Sequence, residues 1–213
     1  MALLLLIRHG LTDATGRTLT GWTPGVHLSE GGRGQARALA ERLAPVPLAA
    51  MYSSPLERCL ETAQPVAAQK GLGVTALDGL GEVRFGDWTG RTLAQLARTR
   101  LWGSIQHVPS GVRFPGGESF LETQHRAVHE VNGIAAAHPR RVVAVFSHGD
   151  VIKLLVAHYA GLPLDLFQRL VISPASVTAV AAGDGVPRIL RMNDTGGVSE
   201  LIPNRPRRRK VGT

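Results

Sequence analysis

The sequence predicts an α/β domain, layered α/β/α around a mostly parallel central sheet. Three observations carry that expectation. Helical and strand-like segments alternate almost throughout the chain. Two strand-like runs, LLLLI at residues 3–7 and VVAVF at 142–146, are apolar without interruption. Strands covered by helices on both faces read that way, because neither face alternates with water. Each of these runs also leads straight into a His-Gly pair, His9-Gly10 and His148-Gly149.

Taken in order, ALLLLIRHG (2–10) is a buried strand that places Arg8 and His9 at its C-terminal lip, where open α/β sheets bind ligands. Ser29 is an N-cap for a helix over 29–43, and LAAMY (48–52) is a short strand. Ser54-Pro55-Leu56-Glu57 combines a capping-box pattern with proline at the first helical position, which starts a helix running to about Lys70. Residues 73–77 read as a strand, and 79–90, with four glycines, as a loop. A short helix over 93–100 is followed by turn-formers and aromatics at 103–117, expected to be a lid within an insertion at about 99–117. Glu118–His138 reads as a long helix weakened at Gly133. VVAVFS (142–147) is followed by a helix from about Asp150 to Tyr159, and residues 176–182 and 187–191 form a terminal strand pair about Gly-Asp-Gly. There is no internal repeat or linker, so one domain is expected over 1–203, with a basic, disordered tail at 204–213.

Composition narrows the functional classes. The 213 residues suffice for one sizeable core. No apolar stretch reaches the ~18 residues of a membrane span. The leader lacks a basic region and a small-residue cleavage site, so a cytoplasmic protein is the expectation. Cys59 is the only cysteine, which excludes a disulfide framework and a thiolate metal cluster. Of the net charge of +8, five charges sit in the tail at Arg205, Arg207, Arg208, Arg209 and Lys210. A Pro- and Arg-rich end of this kind reads as solvated rather than as a nucleic-acid site. A homodimer is the generic expectation for assembly.

The Arg8-His9 pair suits phosphate chemistry: a guanidinium holds anionic oxygens, and a neutral imidazole can attack phosphorus. If the strands before His9 and His148 are neighbours, both imidazoles share one crevice. Arg58 lies in the first turn of its helix, near free amides that favour anions.

These parts together resemble the histidine phosphatase superfamily, also called phosphoglycerate mutase-like. The resemblance rests on LIRHG (6–10), SSPLERCLETA (53–63), EVRFGDWTG (82–90) and SHGDVIKLL (147–155), an ordered set spanning about three-quarters of the chain. It implies a phosphoglycerate mutase-like fold and a small phosphate ester as substrate, with no metal and no cofactor. His9 is then the nucleophile that becomes phosphorylated. Arg8, Arg58 and His148 form the phosphate pocket, with His148 held cationic by the dianionic substrate. Glu82 protonates the departing alcohol and later takes a proton from water. The assignment is physically reasonable, since phosphoryl transfer needs in-line positioning and charge stabilisation of the equatorial oxygens. A donating carboxyl must be neutral, so the Glu82 pKa is expected to be raised.

Glu57, Glu61 and Asp87 are acidic alternatives to Glu82, with Asp87 also suited to bracing its loop. The resemblance breaks at Leu11, where an acid is usual, and at Thr15, where asparagine is usual; Thr15 remains a substrate-binding candidate, with Thr20, Gly21 and Gly149. His125 and His129, four apart, lack a third metal ligand and read as a solvated helix face. His27, His138 and His158 have no partner pattern, whereas His107 is set apart by lying in the expected lid. Trp88 and Trp102 are expected to shape the pocket or core, and Ser119 of FPGGES to offer its hydroxyl to the pocket. Val83-Arg84-Phe85 replaces the Arg-His-Tyr by which phosphoglycerate mutases resemble one another, and the lid lacks their adjacent arginine pair. Both departures favour hydrolysis over a mutase. A phosphoprotein- or RNA-binding module without turnover is the reading from another class, and the intact set of Arg8, His9, Arg58, Glu82 and His148 argues against it.

Overall fold

A computed structural model describes residues 1–196. Its strands are β1 (Ala2–Arg8), β2 (Leu48–Ser53), β3 (Val74–Ala76), β4 (Val142–Ser147), β5 (Val177–Ala182) and β6 (Arg188–Asp194). They form one sheet in the order β3-β2-β4-β1-β5-β6. The pairs β1–β4, β2–β4 and β2–β3 are parallel, while β5 runs antiparallel to both β1 and β6. The mostly parallel sheet expected from the two apolar runs is therefore present.

The sheet is covered on both faces. Along β1, Leu5 and Ile7 enter a core with Ala144 and Phe146, whereas Leu4 and Leu6 enter another with Val143 and Val145. The strand's period of two divides one apolar run between two layers. The first face is packed by α1 (Glu30–Leu43) and α2 (Glu57–Lys70), through Leu39, Leu43, Ala63 and Val66. Two short helices follow, α3 (Leu93–Leu96) and α4 (Arg100–His107). The second face is packed by α5 (Phe120–Ala137) and α6 (Gly149–Ala160), through Val131, Ile134, Ile152 and Leu155.

Three local expectations are corrected. Ser29 caps α1 as expected, accepting from Gly32 N at 3.2 Å, but Ser54 forms no capping box. Leu56 is the N-cap residue of α2 and makes no side-chain cap bond; Ser54 lies two residues before it, where its hydroxyl accepts from Leu56 N at 3.3 Å and from His148 Nε2 at 2.8 Å. The short helix expected over 93–100 ends at Leu96, and the expected lid carries a second helix, α4, over 100–107, with Ile105, Val112 and Phe114 of the lid buried against Trp88 and Phe120. This aromatic cluster makes it a packed cap. Ser119 caps α5 in a closed capping box with Glu122, so its hydroxyl is committed to the helix rather than offered to a pocket. No helix among the described residues is long and apolar enough to cross a membrane. The expected tail at 204–213, and residues 197–203 of the expected domain, lie outside the described residues.

Candidate active site

Strand register builds the site. Arg8 is level with Ser147 across β1 and β4, and His9 N donates to Ser147 O at 3.0 Å. His9 and His148, the next residues, therefore leave adjacent parallel strands side by side, with ring centroids 5.3 Å apart. The turn after His9 is locked onto α2. Gly10 N donates to Thr62 Oγ1 at 3.0 Å, and Thr62 Oγ1 donates to Arg58 O at 2.6 Å. A Cβ at Gly10 would lie 2.8 Å from Gly32 O, so this turn requires glycine by close approach.

His9 is buried, and its Nδ1–H donates to Gly10 O at 2.7 Å, which leaves the lone pair on Nε2. Burial, reinforced by Arg58 and Arg8, pushes its pKa down to about 3. The ring is thus neutral near pH 7 and in the tautomer a nucleophile requires. In His148, Nδ1 accepts from Arg58 Nη2 at 3.3 Å, so Nε2–H donates to Ser54 Oγ at 2.8 Å. Burial first, then the Arg58 charge, holds His148 well below the usual histidine range.

The two guanidiniums are only partly satisfied. Arg58 Nη2 donates to Gly21 O at 2.9 Å, and Arg8 Nη1 donates to Ile172 O at 2.6 Å. Arg58 Nη1 and Arg8 Nε are buried without partners. Buried cationic N–H groups are costly unless an acceptor arrives, and two beside a neutral imidazole form an anion site. Gly149, the first residue of α6, admits Arg8: a Cβ there would sit 3.1 Å from Arg8 Nε.

Glu82 faces His148, with Oε2 3.7 Å from His148 Nδ1. Burial first, then the charge of Asp150, pushes its pKa up to about 7, against the opposing pull of Arg58. Its backbone is clamped, since the Glu82 carbonyl accepts from Trp22 Nε1 at 2.5 Å and Arg126 Nη2 at 2.8 Å. Arg126 also donates to Gly79 O and Gly81 O and pairs with Glu118. The alternative acids are placed elsewhere. Glu57 accepts from Gly25 N, Glu61 accepts from Leu28 N and pairs with His27, and Asp87 is exposed beside Gly116.

The weaker candidates divide. Gly21 reaches the site through its carbonyl on Arg58, and Gly149 through its contact with Arg8. Thr15 is turned into its own loop, with Oγ1 accepting from Thr12 N at 3.0 Å. The Thr20 carbonyl accepts from Thr23 N in the same loop region. His107 is exposed and donates to Gly103 O, and His125 and His129 are exposed on α5. Among the described residues no group of three histidine, cysteine or acidic side chains is gathered as a metal site. His27 and His138 do have partners, Glu61 and Tyr52. Trp88 is buried near Trp102, with rings stacked at 6.4 Å.

Sequence reasoning missed Ser54, Thr62, Trp22 and Arg126 as supports of the site. Thr62 follows Arg58 at helical i+4 spacing within the quoted SSPLERCLETA, a signal that was available. Arg126 carries no local signal for this role, because the three carbonyls it holds at the site lie more than forty residues away in chain order.

An α/β/α fold with a neutral strand-end imidazole near two under-coordinated guanidiniums belongs to an enzyme of phosphate esters. The chain belongs to the histidine phosphatase superfamily (branch 1), whose family model matches residues 4–195. It is 29% identical over 208 residues to phosphoserine phosphatase 1 of Hydrogenobacter thermophilus, covering 94% of this chain and 96% of that one. Among solved structures, YhfR of Bacillus stearothermophilus is similar at a TM-score of 0.85 and 31% identity, covering 91% of this chain and 98% of that one. A mycobacterial glucosyl-3-phosphoglycerate phosphatase in complex with VO3 is similar at 0.81 and 30%, covering 90% and 98%. The protein is a histidine-type phosphatase.

Proposed function

We propose that the protein hydrolyses a small, soluble phosphate monoester without a metal, through a phosphohistidine at His9. The observation that carries this is the pairing of the His9 lone pair on Nε2 with the unpartnered donors Arg8 Nε and Arg58 Nη1. Substrate phosphate oxygens supply the acceptors those donors lack. His9 Nε2 attacks phosphorus in line, and the P–O bond to the alcohol breaks as Glu82 delivers its proton to the leaving oxygen. His148 takes up a proton as the dianion arrives and adds its charge to the pocket. The Glu82 carboxylate then removes a proton from water. That water attacks the phosphohistidine, releasing inorganic phosphate and restoring neutral His9.

The similar proteins named for phosphoserine and glucosyl-3-phosphoglycerate place small metabolite esters first among substrates. The same reading takes the enzyme as a cytoplasmic homodimer with no nucleic-acid partner. The test is a phosphate-release screen across metabolite esters in the presence of a chelator, followed by trapping with phosphorus-labelled substrate. Label should map to the peptide containing His9. Isomer interconversion without phosphate release would point to a mutase instead, and reproducible absence of label during turnover would remove the covalent step.

A further inference from the structure

We infer that Arg126 is a positioning residue for the general acid, holding Glu82 in place through its backbone rather than through its carboxyl. The inference rests on the proposed role of Glu82 as that acid. The carboxyl has little of its own to fix it. Its Oε1 accepts from Val83 N at 3.0 Å, the amide of the next residue, and Oε2 stands 3.7 Å from His148 Nδ1. Its place is therefore set by the main chain that carries it. That main chain is a single 3-10 turn at Asp78–Leu80 followed by Gly81, with a second glycine at position 79. So short and glycine-rich a stretch has little rigidity of its own.

The rigidity comes from outside. Each carbonyl from Gly79 to Glu82 accepts from a side chain elsewhere in the fold. Arg126 Nη1 donates to Gly79 O at 2.9 Å and to Gly81 O at 2.8 Å, and Nη2 donates to Glu82 O at 2.8 Å. Ser147 Oγ donates to Leu80 O at 2.7 Å, and Trp22 Nε1 adds a second bond to Glu82 O at 2.5 Å. The remaining Arg126 protons go to Glu118, from Nε to Oε2 at 3.1 Å and from Nη2 to Oε1 at 2.6 Å. A guanidinium carries five N–H donors in one rigid plane, and here all five are engaged. None is left for a substrate, and the Glu118 carboxylate balances the charge, so Arg126 acts through geometry. Glu118 carries the clamp past the acid: its Oε1 accepts from Arg84 N at 2.8 Å, and its own N donates to Arg84 O at 2.9 Å. Gly81 leaves room for the second donor, since a Cβ there would run into the Trp22 ring.

The test is the leaving-group dependence of kcat/KM in Arg126→Met, Arg126→Lys and Trp22→Phe. The alkyl esters phosphoserine and glycerol 3-phosphate are set against p-nitrophenyl phosphate. An alkoxide needs the acid's proton and a nitrophenolate does not, so a displaced acid separates the two kinds of ester. In Arg126→Met the alkyl rates should fall about 10²-fold, the scale of a misplacement near 1 Å, and the aryl rate by less than about fivefold. The decline of the alkyl rates as pH climbs through about 7 should flatten at the same time. Arg126→Lys should recover part of the alkyl rates. Trp22→Phe, which removes one donor from Glu82 O, should lower the alkyl-to-aryl ratio at least about threefold, and it decides the matter if Arg126→Met does not fold. Equal losses on both kinds of ester, or an unchanged ratio in the folded variants, would overturn the inference and leave Arg126 a structural residue alone. Glu82→Gln in the same assay separates the two levels of failure. If it discriminates between the esters while the Arg126 and Trp22 variants do not, this inference alone fails. If Glu82→Gln does not discriminate, or the wild-type protein turns over only the aryl ester, the acid role of Glu82 fails and this inference with it.

Discussion

His9 and His148 stand with ring centroids 5.3 Å apart and planes at 62° because Arg8 and Ser147 are register partners on β1 and β4. Pairing geometry between two strands, rather than a loop, sets their separation, and parallel pairing is stiff once both faces are buried. The two rings are held in different states of readiness. His9 Nδ1–H is tied to Gly10 O, which frees Nε2, whereas His148 Nε2–H is tied to Ser54 and Nδ1 faces Arg58.

The first consequence concerns His9→Ala. The ring is buried but makes one backbone bond to its neighbour, so its removal leaves strand pairing intact. Turnover of every ester should drop by at least about a thousandfold, with binding of inorganic phosphate retained, because the arginines stay in place. Steady-state kinetics and phosphate titration check this together. Turnover near the wild-type rate would refute the nucleophile assignment.

The pH dependence follows from Glu82. As a general acid it works protonated, and its pKa is raised to about 7, so kcat/KM should decline as pH climbs through that value. His9, at about 3, stays neutral across the whole range and adds no limb near neutrality. Glu82→Gln should remove the limb near pH 7. It should also slow alkyl phosphates by about 10²–10⁴-fold while affecting aryl phosphates, whose alcohols leave without help, much less. The linkage sign runs the same way for stability. A carboxyl raised from 4.5 in the unfolded chain to about 7 in the fold costs stability as pH rises through that window. Glu82→Gln should therefore gain about 1–3 kcal/mol over wild type at pH 8, and nothing at pH 4. Denaturant melts at the two pH values measure the difference.

Ser54→Ala tests how His148 is held. The variant strips the acceptor from a buried imidazole N–H, leaving only the Cys59 sulfur at 3.5 Å as a weak substitute. A loss of about 1–3 kcal/mol is expected from the unsatisfied donor. A tenfold or greater fall in kcat should accompany it as the ring turns. Unchanged kcat with unchanged stability would mean that packing, not Ser54, orients His148.

Much of this arrangement was legible in the chain. The uninterrupted apolar runs before His9 and His148 announce strands buried on both faces, and the repeated strand–His–Gly order places two imidazoles at one sheet edge. Ser29 and its helix were readable for the same local reason, a cap followed by helical spacing. Legibility failed where a side chain answers to a distant partner. Ser54 looks like a helix cap in sequence, yet its hydroxyl serves an imidazole ninety-four residues away. Ser119 looks available to the pocket, yet Glu122 closes a capping box on it. Arg126 gathers the carbonyls of Gly79, Gly81 and Glu82, three acceptors on one short stretch that it reaches only once α5 has packed in place.

Gly149→Ala separates stability from function at one atom. Gly149 opens α6 in ordinary helical backbone, so alanine meets no conformational penalty there and gains slightly in helix propensity. The added methyl, however, would lie 3.1 Å from Arg8 Nε and 3.2 Å from Arg8 Cζ. The guanidinium must retreat by a few tenths of an ångström, and its unpartnered Nε is one of the donors proposed to meet the phosphate. Misplacement on this scale costs catalysis far more than folding, since about 1 Å can cost 10²-fold. The melting temperature should hold or rise slightly, while kcat/KM falls about five- to fiftyfold and the inhibition constant for inorganic phosphate weakens in parallel. Thermal melts and phosphate inhibition on the same preparation decide it. A destabilised variant with full activity per folded molecule would show that Arg8 Nε plays no part in holding the phosphate.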